Sequence, residues 1–331
     1  MVYLDGIFYA YMTTRCKSIL IWSGKVLIFI AAWAYVIYKF ATMDQDFLLL
    51  FNDDHFSLLV LSLVCMLMFL NWGLEAIKWH FLVSKQQQIS YFTAVKGVLI
   101  GLPLALVTPN RIGEIGGRAI VLKQHYEQGV FATFVGSFMQ LITTLLFGAF
   151  GFLLYTFASL QYDSINMLFY VALGCLALCI PFVFLLLFIG KRHVVRLLYL
   201  QLVGKRWYRK TKQMLLVYAK GDIGKALIIS IARYCVFGGQ YALLMKMFLP
   251  ELSSVQLIVG ITLTYFFTTV IPTTVLGEVG IRGAVAMEIF ARYTPNASVV
   301  FQVSMLLWVI NIVFPTLLGS ILLLAKKRKK E

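Results

Sequence analysis

Long apolar stretches separated by short polar gaps dominate the chain. Runs near residues 18–40, 56–77, 129–157, 165–190, 224–249 and 298–325 each reach the length of about 20 residues that an α-helix needs to cross bilayer hydrocarbon. Two further stretches, 89–128 and 254–293, are apolar but interrupted near their middles, and each predicts two short helices meeting at a kink. The interruption is the same phrase twice. Pro109-x-x-x-Gly113-Glu114-Ile115-Gly116-x-Arg118 is echoed by Pro272-x-x-x-x-Gly277-Glu278-Val279-Gly280-x-Arg282. Proline and glycine break helices, and an acid and a base inside apolar surroundings are expensive, so repeating the combination points to one site built from two related halves.

Composition agrees with the pattern. Of 331 residues, 61% are hydrophobic and only 13% charged, with mean hydropathy +0.86. That excludes a soluble globular domain and indicates an all-α polytopic membrane protein. The net charge of +15 does not indicate nucleic acid, because the basic residues occupy the gaps between apolar runs and the C-terminus, where they orient a membrane protein. The linker 191–225 mixes lysine and arginine with Leu197, Leu198, Tyr199, Leu200, Trp207 and Tyr208, a composition suited to an amphipathic helix on an anionic leaflet. The start of the chain lacks a small-residue cleavage site after a short apolar core, so no removable signal peptide is expected. Cys16, Cys65, Cys175, Cys179 and Cys235 are odd in number and read as packing residues, and His55, His80, His125 and His193 show no metal-binding spacing. Neither a metal nor a cofactor is expected.

Charge asymmetry orients the spans. The run Lys326–Lys330 and the basic linker belong in the cytoplasm, whereas 41–55, with Asp44, Asp46, Asp53 and Asp54 and no lysine or arginine, belongs outside. Arg15 and Lys17 then put the N-terminus inside, with the C-terminus. By parity, both broken segments return to the side they left, the first to the cytoplasm and the second to the exterior. Each half therefore reads as three transmembrane helices plus a hairpin, residues 1–160 forming the first repeat and 161–331 the second, in inverted topology. Parity leaves open whether a hairpin is re-entrant or spans twice. Short or polar arms at 91–107 and 119–128 favour re-entrant ones.

Glu114 and Glu278 occupy matching positions and are candidate coupling groups, since a carboxylate at membrane depth exchanges protons or cations. Arg118 and Arg282, four residues on, share a helix face with them. They are candidates either for an internal salt bridge or for a substrate phosphate. Arg111, without a counterpart in the second phrase, is a further candidate for an anionic headgroup, and Gly116 and Gly280 are expected to offer free backbone N–H groups at helix starts. Pro109, Pro272, Gly113 and Gly277 are expected to shape or gate the hairpins. Asn71, Glu75 and Lys78 fall at i, i+4 and i+7, followed by Trp79 and His80, which reads as an interfacial anchor. Arg233, alone in an apolar run, needs a partner, for which Glu278 and Glu288 are the candidates.

The stretches Asn71–Trp79 (N-W-G-L-E-A-I-K-W), Thr108–Ala119 (T-P-N-R-I-G-E-I-G-G-R-A) and Ile271–Gly283 (I-P-T-T-V-L-G-E-V-G-I-R-G) resemble the lysylphosphatidylglycerol synthase transmembrane family, also called flippase-like or YbhN-like. The resemblance covers nearly the whole chain. It implies a lipid translocase. The sequence ends at Glu331 without a transferase-like region, so the expectation is a stand-alone member, not an enzyme, moving an anionic phospholipid or a polyprenyl-phosphate-linked lipid across the inner membrane. The partners implied are that lipid, the membrane, and either a second copy or a neighbouring synthase. An integral membrane transferase using the acids at 44–54, and a scaffold for a lipid or glycan synthase, are the alternatives.

Overall fold

The computed structural model describes residues 55–106, 108, 111–122, 125–159, 217–271 and 275–325, with five isolated positions besides. The expected spans 18–40 and 165–190, Pro109, Pro272, the acids at 44–54, most of the basic linker and the run 326–330 lie outside the described residues, as do the side chains of Gly277 and Glu278.

Among the described residues every regular element is helical: α1 (Leu58–Ser84), α2 (Tyr91–Leu106), α3 (Ile112–Ala119), α4 (Tyr126–Ser159), α5 (Lys220–Phe248), α6 (Ser254–Val270), α7 (Val275–Phe290), α8 (Ala297–Trp308) and α9 (Phe314–Ala325), the last two joined by a π turn, Val309–Val313. Four of these units, α1, α4, α5 and α8 with α9, are long and apolar enough to cross a membrane. They match four of the expected spans, with α1 running seven residues past the expected end at 77.

The broken segments are indeed helix pairs, α2 with α3 and α6 with α7. The break is narrower than expected. The phrase Gly113–Arg118 lies within the short helix α3, the chain turns just before it, and of the residues expected as a second arm, 119–128, Ala119 ends α3 while those from Tyr126 on begin α4. Thr108 builds the turn: its hydroxyl donates to the Leu104 carbonyl at 2.8 Å and accepts the Gly113 amide at 2.7 Å. A side chain at Gly113 would overlap that same carbonyl, so the close return of α3 along α2 requires glycine there.

Helix starts follow local rules. Ser57 accepts the Val60 amide to cap α1, and Ser253 with Gln256 forms a reciprocal capping box on α6. Before α5, Tyr218 donates to the Leu82 carbonyl at 3.1 Å and accepts from Gln86 at 2.8 Å. Burial pushes its ionisation up to about 12, so it stays a neutral donor at any physiological pH. Lys85 pairs with Asp222 at 2.8 Å across the same end of α1 and α5.

The packing crosses between the two halves of the sequence. α1 lies along α5, α4 along α6, and α9 along α2. Thus the last helix of each half covers the hairpin of the other. The α9–α2 contact is tightest at Gly319, where a Cβ would overlap the carbonyl oxygen of Leu99. Pro103, inside α2, has no N–H to offer that oxygen, so the bare Cα of Gly319 fills the gap. Gly319→Ala is expected to force the helices apart and destabilise the protein by about 1–3 kcal/mol. The check is the apparent melting temperature in detergent.

Candidate anion site

The site starts on one face of α1. Asn71, Trp72, Glu75, Lys78 and Trp79 are all buried. A polar group there must find its partners inside the bundle, because hydrocarbon supplies none. Glu75, 2% exposed, finds three. Its Oε1 accepts from Arg118 at 2.6 Å, and its Oε2 lies 2.8 Å from Lys78 Nζ and 3.2 Å from an Arg233 nitrogen. One carboxylate therefore ties α1 to α3 and α5.

From Arg118 the network continues. Its other terminal nitrogen donates to Glu114 Oε1, and Glu114 Oε2 is 3.3 Å from Arg111 Nε. Arg111 caps the start of α3 with φ of 57°, a left-handed conformation uncommon for a long side chain. Four cations (Lys78, Arg111, Arg118, Arg233) thus surround two carboxylates (Glu75, Glu114), leaving two positive charges over among these six groups.

A second, neutral set of contacts fixes Arg233. Its guanidinium lies over the Trp72 ring, 5.2 Å from the centroid, and a terminal nitrogen is 3.4 Å from Gln140 Oε1. Trp72 in turn donates through Nε1 to the Asn311 carbonyl at 2.9 Å, while Asn71 donates to the Asn311 side-chain oxygen at 3.0 Å. Asn311 sits in the π turn, where the widened helix departs from the regular i→i−4 ladder.

These groups open onto a cavity of about 230 Å³. Arg111, Arg233 and Arg282 line it from α3, α5 and α7; Asn71, Asn311, Gln140, Thr144, Thr268 and Thr269 add amides and hydroxyls, and Trp72, Tyr234, Phe237 and Tyr265 supply aromatic wall. Among the described residues no carboxylate faces it. Chemically, three guanidinium groups and several neutral donors converging on a small, partly open space suit an anion of phosphate size.

The comparison with family models places residues 19–319 in one family, the lysylphosphatidylglycerol synthase TM region. The chain belongs to that family. Comparison with curated proteins gave no match, and neither did comparison with solved structures. Membership gives this lysylphosphatidylglycerol synthase-type membrane protein a membrane, lipid-related role.

In this family member the residues expected from sequence fall into three places. Arg111 and Arg282 line the cavity. Arg118 and Glu114 form the i, i+4 pair, but Arg118 is 3% exposed and stands behind the cavity, held by Glu75 as well. Gly116 and Gly117 do not sit at a helix start: they are the fifth and sixth residues of α3, past the four amides that a helix leaves open, and Gly280 and Gly283 are equally deep in α7. Gly116, Gly117 and Gly283 allow close packing, against Tyr126, Gly101 and Phe301, whereas a Cβ at Gly280 would meet nothing within 4 Å.

Two further expectations are corrected. Arg233 pairs with Glu75, an acid of α1 that was not among its expected partners, because α5 packs along α1. Trp79 is no interfacial anchor; it is 1% exposed and donates to Thr133 at 2.8 Å. Sequence reasoning passed over Asn311, Gln140 and Trp72. A polar amide in the middle of the apolar run 298–325 was the available signal for Asn311.

Proposed function

We propose that the protein is a lipid translocase rather than an enzyme, moving an anionic lipid whose phosphate enters the arginine-lined cavity, by alternating access across the inner membrane. The observation that carries this reading is the convergence of Arg111, Arg233 and Arg282 on one cavity between helices of both halves. Family membership supplies the lipid context. The reciprocal packing, with α4 on the second hairpin and α9 on the first, supports two inverted repeats with re-entrant hairpins, since an exchange of halves maps one contact onto the other.

In this scheme the headgroup competes with carboxylates for arginine. Arg111 already shares Glu114 with Arg118; a phosphate reaching Arg111 loosens that sharing and frees Glu114 to exchange a proton or cation. Glu278, at the matching place of the second phrase, does the same for Arg282 in the other half. Basic gaps hold the termini in the cytoplasm.

The test is translocation of an anionic phospholipid, labelled on its acyl tail, in proteoliposomes, read by quenching from outside. Wild-type protein should exchange the lipid between leaflets, and Glu114→Gln and Glu278→Gln should abolish exchange while the proteins still elute as folded monodisperse species. Loss of activity only on changing the acids at 44–54, or a covalently altered lipid in the extract, would replace the translocase with a transferase.

A further inference from the structure

On the opposite side of α5 from the cavity lies a second, larger concavity of about 580 Å³. Cys235, Val236, Gly239, Ala242, Leu243 and Lys246 of α5 form its floor, with Leu67 of α1 on one flank and Ser254 and Leu257 of α6 on the other. Its polarity is one-sided. From Cys235 to Leu243 the lining is apolar or glycine, and only Lys246 and Ser254, at one end, are polar.

The dimensions match one leaflet. The helical rise from Cys235 to Lys246 is about 16 Å, against about 15 Å for half of the hydrocarbon core. Cys235 stands at the middle of the membrane-spanning helix α5 and is exposed, so the floor of the groove faces the lipid rather than the bundle. Gly239 deepens it: a side chain there would meet nothing within 4 Å. At the far end Lys246 is held in place by the carbonyls of Pro250 at 2.6 Å and Leu252 at 2.8 Å, beside the start of α6. Two carbonyls occupy two of an ammonium group's three N–H bonds and leave its charge uncancelled. The neighbouring acid, Glu251, accepts from Thr294.

We infer that this groove is a binding site for one acyl chain of a phospholipid of net negative charge, with its phosphate on Lys246 and its terminal methyl at Cys235. The site faces away from the cavity and does not depend on the translocase reading. It is filled from the leaflet that holds the α5–α6 turn, and it anchors a lipid where α1, α5 and α6 meet.

The test uses the full chain in phosphatidylcholine nanodiscs containing a small share of phosphatidylglycerol with a diazirine at its acyl terminus. After irradiation, adducts are mapped by peptide mass spectrometry. In wild type they should concentrate between Cys235 and Gly239. Gly239→Leu, whose Cβ meets no protein atom within 4 Å and whose remaining atoms enter the groove, should lower that yield about tenfold, and Lys246→Gln should lower it about fivefold. The same diazirine on phosphatidylcholine should respond to Gly239→Leu but not to Lys246→Gln. Adducts spread evenly over lipid-facing helices, or unmoved by Gly239→Leu, overturn the proposal. So does a cross-link joining two Cys235 thiols in place of the lipid, or one joining this stripe to residues 18–40 or 165–190, since a second copy or the chain's own helix would then be the occupant.

Discussion

Glu75→Gln is expected to destabilise the protein more than any other single exchange of an acid for its amide, by about 3–5 kcal/mol. The amide keeps the shape of the side chain and removes its charge. Lys78, Arg118 and Arg233 all reach this carboxylate within 3.2 Å; without its charge Arg118 keeps Glu114, and Lys78 and Arg233 are left facing it and one another. Glu114→Gln should cost less, because the Glu114 side chain is 15% exposed and serves two cations rather than three. The measurement is the apparent melting temperature in mild detergent at a fixed heating rate, with Glu75→Gln/Lys78→Met as the companion variant. Removing one of the stranded cations should recover part of the loss. Melting of Glu75→Gln together with wild type would mean that the three cations find other partners and that the carboxylate is no hub.

Arg233→Ala should do the reverse, sparing the fold and removing function. Glu75 keeps Lys78 and Arg118 after that change, so the interior stays balanced. The cavity, however, loses the one guanidinium that is stacked on Trp72 and steadied by Gln140. A charge-assisted contact of this kind contributes about 1.5–3 kcal/mol, so translocation of an anionic phospholipid should fall about 10- to 100-fold. Arg233→Lys should fall short of rescue, because an ammonium keeps the charge but neither lies flat on an indole nor forks to two oxygens. Trp72→Leu should give a smaller loss in the same direction. Arg233→Ala vesicles that move the lipid at the wild-type rate would remove this residue from the headgroup site.

Much of this arrangement is written locally in the chain. Apolar runs announce α1, α4, α5 and the α8–α9 unit, and the four-residue spacing of Glu114 and Arg118 announces their pair, because both signals depend on neighbours along one helix. What escapes is whatever depends on which helix lies against which. Arg118 meets Glu75 across 43 positions, and no spacing rule reaches that far. The pairing of Arg233 was partly within reach: it is the one charge between Lys225 and Lys246, and Glu75 is the one acid in its apolar run. Two lone opposite charges buried in separate spans must meet, which argues for α1 against α5. Assigning Arg233 to the acids of its own half ignored the exchange of contacts between halves. The break before α3 was read too wide for a simpler reason: glycines were read as breaks, whereas Gly113, Gly117 and Gly101 let two helices touch.

The π turn between α8 and α9 changes how the last span should be counted. One residue added to a helix advances its phase by about 100°, since 3.6 residues make a full revolution. Before the turn the span shows its inner face to α5 and α7; after it, the face presented is the one that meets α2. By rotational bookkeeping the span is two helices sharing an axis, each with its own apolar stripe a quarter revolution from the other. Seen end on, the two stripes lie side by side and widen the apolar face, which is how a segment in contact with both halves of the molecule passes for an ordinary lipid-facing anchor.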